Sequence, residues 1–139
     1  MQQQARDWWA IERPKFDLVT SQVTLNEAAA GDPSAAADRL KMLDGLPLVD
    51  AGIAAQELAG RLIAAHTMPQ KAAADALHVA AAALADVKYF LTLNCKHIAN
   101  AHKLPRIYQI LREQGHGQLL ICTPSEFLGG DDDDNGPNP

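Results

Sequence analysis

Apolar positions along this chain fall into two kinds of block. Some recur at helical spacing, and others form short unbroken runs, so the pattern predicts helices separated by short strands. Residues 2–13 carry Trp8, Trp9 and Ile11 and predict a helix ending near Pro14. The run FDLVT, 16–20, predicts a strand, and Ser21 is a good N-cap for a helix that Gly31 ends. Asp32 and Pro33 open a further helix to about Asp44. After Gly45, LPLVD (46–50) predicts a second strand. Residues 52–66 predict a helix with Ile53, Leu58, Leu62 and Ile63 on one face.

The most informative block is 72–87, AAADALHVAAAALADV, where every position except Asp75, His78 and Asp86 is Ala, Leu or Val. A helix so apolar is buried on most of its circumference. At about 100° per residue, Lys71, Asp75, His78 and Asp86 share one stripe. That seam is either a solvent edge or the lining of a site. Thr67 and Gln70 have capping-box spacing around Pro69 and are expected to open this helix. YFLTLN (89–94) predicts a strand, 96–105 a short helix and turn, and Pro105 starts a helix to about Gln114. QLLICT (118–123) predicts the last strand, and 124–128 one helical turn.

Four strands separated by helices predict an α/β fold with a mostly parallel sheet. Ligands of such sheets lie beyond the carboxyl ends of the strands. The positions to inspect are therefore Thr20, Ser21, Asp50, Asn94, Cys95 and Thr123. The domain is expected over 1–128. Residues 129–139, GGDDDDNGPNP, have nothing to bury and are expected to be disordered.

Composition narrows the classes. A length of 139 residues and 47% hydrophobic content suit one globular domain. No apolar run reaches the roughly 18 residues of a membrane span, and the first residues lack a secretory core, so a cytoplasmic protein without a membrane partner is expected. The net charge of −5 falls to −1 once Asp131 to Asp134 are set aside, which neither demands nor forbids a nucleic acid. Lys88, Lys96, His97, His102, Lys103, Arg106 and Arg112 concentrate positive charge, either as a solvated rim or as a phosphate-binding patch. The two cysteines, Cys95 and Cys122, form no metal or disulfide motif. Trp8 and Trp9 suit a core, or an interface.

Phosphate-loop, dinucleotide and nucleophile-elbow motifs are absent. What remains is carboxylate chemistry. Glu27 follows the first strand, Asp75 lies on the buried helix and Asn94 ends the third strand, so all three can meet at one end of a parallel sheet. Oxygen donors suit Mg²⁺ or Mn²⁺. The alternative leaves Glu27 exposed, pairs Asp75 with Lys71 and makes Asn94 a helix cap.

The phrases SQVTLNEAAAGDP, DALHVAAAALADVKYFLTLNCKHIANA and ICTPSEFL resemble PIN-domain proteins, in particular the bacterial VapC-type toxin group. The similarity runs from about Trp8 to Leu128 in the family's order. It implies a PIN-like three-layer α/β/α fold and a Mg²⁺- or Mn²⁺-dependent endoribonuclease. It further implies an RNA substrate, an antitoxin partner and a homodimer. Asp75 and Glu27 would hold the metal; Asn94 matches a position that is Asp in many of these proteins. The family begins with a central strand bearing another site acid, and no such strand precedes Trp8. The resemblance thus implies an N-terminally truncated domain with two unpaired strand edges. Either the true start lies upstream of Met1, or the chain is a remnant that binds RNA or protein without cutting.

Overall fold

The computed structural model describes residues 2–49 and 52–128. The sequence expectations for Asp50 and for the 129–139 tail lie outside the described residues.

The molecule is built around helices α4 (Gly52–Ala64) and α5 (Ala73–Leu84), which make its broadest packing contact. Ala55, Leu58, Ala59 and Leu62 of α4 are buried, as are Ala76, Val79, Ala80, Ala81, Ala82 and Ala83 of α5. Helix α6 (Leu104–Glu113) adds Ile107, Ile110 and Leu111 to the same core. Its N-terminal Pro105 costs no hydrogen bond, because the first amides of a helix have no intrahelical partner.

Three helices end in the same way. Val87 N–H donates to Ala82 O and Asp86 N–H to Ala83 O, closing α5 with the left-handed residue Asp86 (φ 56°). His66 (φ 61°) closes α4, and Gly115 (φ 85°) closes α6, through the same pair of bonds. These are Schellman closures, which usually place glycine at that position. Asp86 is thus a cap and not part of the polar seam of α5.

Helix α1 (Gln2–Ile11) packs against α7 (Pro124–Leu128). Trp8 is buried, and its ring stacks on Phe16 with centroids 5.9 Å apart. Phe127 closes edge-on against Phe16 (5.5 Å) and Tyr89 (5.6 Å), so the aromatics form a second, smaller cluster. Phe16 therefore packs, half-buried, in this aromatic cluster, and the expected strand over 16–20 shrinks to β1 (Thr20–Ser21). Ser21 also caps α2 (Gln22–Ala28), its Oγ accepting from Thr24 N–H at 3.2 Å. Asp32 caps α3 (Pro33–Leu43), accepting from Ala35 N–H at 2.9 Å.

The expected capping box at Thr67 is not formed. Thr67 Oγ1 donates to Leu62 O at 2.7 Å, finishing α4, and residues Gln70–Ala72 make a 3₁₀ turn before α5 begins. Thr67 sits just past a Schellman closure, where its hydroxyl is nearest the last carbonyls of α4.

The strands are short. Strand β1 pairs in parallel with β2 (Leu48–Val49), and β3 (Tyr89–Leu91) pairs in parallel with β4 (Leu120–Cys122). Among the described residues these are two separate two-stranded sheets, not one continuous sheet. The α/β class and the parallel pairing expected from the sequence are present. The two halves are not hydrogen-bonded to one another. The outer edge of β4 is closed: Tyr108 Oη accepts Ile121 N–H at 2.9 Å. No helix of the described residues is long and apolar enough to cross a membrane.

Candidate functional site

Glu27 lies in the last turn of α2 and His78 in the second turn of α5. The packing of α2 on α5 brings His78 Nε2 to 2.7 Å from Glu27 Oε1. Only 11% of the His78 side chain is exposed, against 54% for Glu27, so the imidazole is a buried anchor for a solvent-facing acid. A carboxylate only accepts, so His78 Nε2–H is the donor. In the neutral ring Nδ1 is then an acceptor, aimed at the Thr24 hydroxyl 3.5 Å away. Thr24 Oγ1 is in turn 3.2 Å from Ser21 Oγ. The polar chain Ser21–Thr24–His78–Glu27 starts at the end of β1 and leads to water at Glu27. Phe90 of β3 holds the other side of the imidazole edge-on, with centroids 6.5 Å apart.

Asp75 sits one turn before His78 on the same face of α5, where residues three apart lie roughly 5–6 Å apart at Cβ. It is half-buried in the first turn of the helix, where the N-terminal dipole favours a carboxylate. Among the described residues it makes no ion pair or side-chain hydrogen bond, and the pairing with Lys71 is not formed. Glu27 bonds His78, and Asp75 lies three residues before His78 on the same helix.

Asn94 behaves differently. Its Oδ1 accepts Lys96 N–H at 3.2 Å and His97 N–H at 2.9 Å, organising the turn after β3. No bond joins it to Glu27, His78 or Asp75. Thr123 is likewise committed: its N–H and Oγ1 both donate to Glu126 Oε1 at 3.1 Å, the glutamate half of a capping box for α7. Cys95 is exposed, while burial, reinforced by Glu126, pushes the Cys122 thiol up and keeps it protonated. A raised thiol is the opposite of what activates a cysteine nucleophile, so Cys122 is not one.

Among the described residues, no three His, Cys, Asp or Glu side chains converge as a metal cluster. The donors that remain are Glu27 Oε2, which is not engaged by His78, and the Asp75 carboxylate. Two carboxylates suit Mg²⁺, which keeps several waters and binds through one or two acids plus phosphate oxygens. Asn94 Oδ1 fits less well, because a metal would compete with two amides for it. Sequence reasoning missed Thr24, although its three-residue spacing from Ser21 is a helix-cap signal.

Comparison with protein-family profiles, curated proteins and solved structures finds no match to the chain.

Proposed function

We propose that the protein is a metal-dependent endoribonuclease of PIN type, with RNA as substrate and a role as the toxin of a toxin–antitoxin pair. The observation that carries this reading is the 2.7 Å bond between His78 and Glu27, residues 51 apart in sequence. It joins Glu27 to α5 at His78, three residues after Asp75. Glu27 Oε2 and the Asp75 carboxylate would hold Mg²⁺ or Mn²⁺. Such an ion supplies Lewis-acid stabilisation of phosphodiester charge and an activated water. His78 orients Glu27 by donating to Oε1, which leaves the other oxygen free. Lys96, Lys103 and Arg106 are exposed on and just after the loop following β3, where they suit the RNA backbone.

A second reading has its own support: the chain binds RNA or a protein without cutting. It is favoured by Asn94, whose oxygen is spent on a turn and whose amide brings no charge. One experiment separates the two. Short RNAs are incubated with the protein across a Mg²⁺ and Mn²⁺ titration, alongside Asp75→Asn. Metal-dependent cleavage abolished in Asp75→Asn is expected. Metal-independent cleavage, or full activity in Asp75→Asn, refutes the nuclease. Salt-sensitive binding without cleavage at any metal concentration selects the second reading.

A further inference from the structure

Helices α2 and α3 lie outside the main core, which takes no side chain from either. Each buries one residue, Ala28 in α2 and Ala36 in α3. An alanine removes little apolar surface from water, so packing alone holds these helices weakly. The start of α2 is fixed by the pairing of β1 with β2 and by the Ser21 cap. Glu27 sits at the other end, beyond the reach of both. Ser21 and Glu27 are about 9 Å apart along the helix axis, so a swing of about 6° moves Glu27 by about 1 Å. Adding about 1 Å to the 2.7 Å separation of Glu27 and His78 breaks that bond.

The free end of α2 is gripped by Arg39, near the middle of α3. Its Nε–H donates to Ala28 O at 3.1 Å and its Nη2–H to Ala30 O at 2.7 Å. Both donors lie on one edge of the planar guanidinium and form a rigid fork. Ala28 is the last residue of α2, and its carbonyl is one that a helix cannot satisfy by itself. Ala29 and Ala30 N–H return to Leu25 O and Glu27 O, so the fork completes the closure of this end. Gly31 then turns left-handed (φ 85°) to bring Asp32 to the start of α3. Among the described residues Arg39 makes no ion pair, so its grip on α2 runs through these two carbonyls.

We propose that Arg39 is a positioning residue for the Glu27–His78 pair. By clamping the C-terminal end of α2 it holds Glu27 where His78 Nε2–H reaches its carboxylate. Of the two partners Glu27 is the one free to move. His78 is carried by α5, whose burial in the main core does not involve α2 or α3. Glu27 immediately precedes Ala28, so releasing the Ala28 carbonyl releases the backbone of Glu27 with it. The metal-binding part of the test below rests on the reading that Glu27 holds the ion; the hydrogen-bond part does not.

Arg39→Met and Arg39→Lys are compared with the wild type, and Lys41→Met, an exposed cation on the same helix, controls for the loss of charge. The first readout is the imidazole N–H signal of His78 in the metal-free protein, assigned by its absence from His78→Phe. In Arg39→Met this proton should exchange with water roughly tenfold faster. The Ile107 and Leu111 amides of the core should keep their protection. Calorimetric Mn²⁺ affinity should fall roughly tenfold in the same variant. Lysine keeps the charge but not the fork, so Arg39→Lys should stay closer to Arg39→Met than to the wild type. Lys41→Met should change neither readout. The proposal is overturned if His78 exchange is unaltered in Arg39→Met, or if Arg39→Lys matches the wild type. It is also overturned if Lys41→Met does as much as Arg39→Met, or if the core amides lose protection in step with His78. A wild type without the His78 signal lacks the bond in question and overturns it too. A wild type that binds no Mn²⁺ refutes the metal site alone, and His78 exchange still decides the role of Arg39.

Discussion

Tyr108→Phe isolates a single bond. The hydroxyl accepts Ile121 N–H at 2.9 Å, and Ile121 is 4% exposed. The ring is retained in the variant, so packing on the core barely changes. The Ile121 amide loses its acceptor, and a buried unpaired amide costs about 1–3 kcal/mol. The other approach of this hydroxyl, to Ile121 O at 3.5 Å, is too long to add much. With a urea m-value of about 2 kcal/mol/M, a loss near 2 kcal/mol lowers the unfolding midpoint by roughly 1 M. Alkaline titration gives a second readout. Burial, helped by Cys122 and Glu126, raises the Tyr108 pKa above its ordinary 10.0, against the lowering effect of the Ile121 hydrogen bond. The folded state therefore holds its proton longer than the unfolded chain. The corresponding stability is fully present below pH 10.0 and is lost as pH rises through the folded pKa. That component should vanish in Tyr108→Phe. A midpoint shift under about 0.2 M, with an unaltered alkaline limb, refutes the account of Tyr108 as the closure of the β4 edge.

The other predictions concern the core, a helix cap and the site. Leu62 is 0% exposed at the centre of the α4–α5 packing, so Leu62→Ala should cost about 2–5 kcal/mol by equilibrium denaturation. His66 holds φ 61° with a side chain that disfavours it, so His66→Gly should stabilise by about 0.5–1 kcal/mol, the left-handed penalty less the added glycine entropy. His78→Phe keeps an aromatic against Phe90 but releases Glu27. If Glu27 and Asp75 hold the ion, calorimetric Mn²⁺ affinity should fall roughly 10–100-fold with the fold unchanged.

The helices were legible because their signals are local. The alanine run of α5, Ser21 and Asp32 as caps, and Pro105 as an opening residue each act within one turn. The strands were overestimated for a related reason. Apolar content proposes a strand, but its length is set by the partner ladder. Residues 16–19 have no ladder, and Phe16 joins the aromatic cluster instead. Thr67 misled because two adjacent helix ends competed for one hydroxyl, and only packing decides such a contest. For the site, Asn94 as a cap was readable from its own neighbourhood. The His78–Glu27 bond was not, since no local rule relates residues 51 apart.

The alanine-rich packing of α5 has a calorimetric consequence. An alanine loses no rotamer freedom on burial, but it also removes little apolar surface from water. Val19, Tyr89 and Leu91 keep part of theirs hydrated in the folded state. Both effects shrink the surface newly exposed on unfolding. The heat-capacity increment should therefore fall below the usual 12–15 or so cal/mol/K per residue. The stability curve of this chain is correspondingly broad and shallow, and its stability changes little between cold and warm conditions.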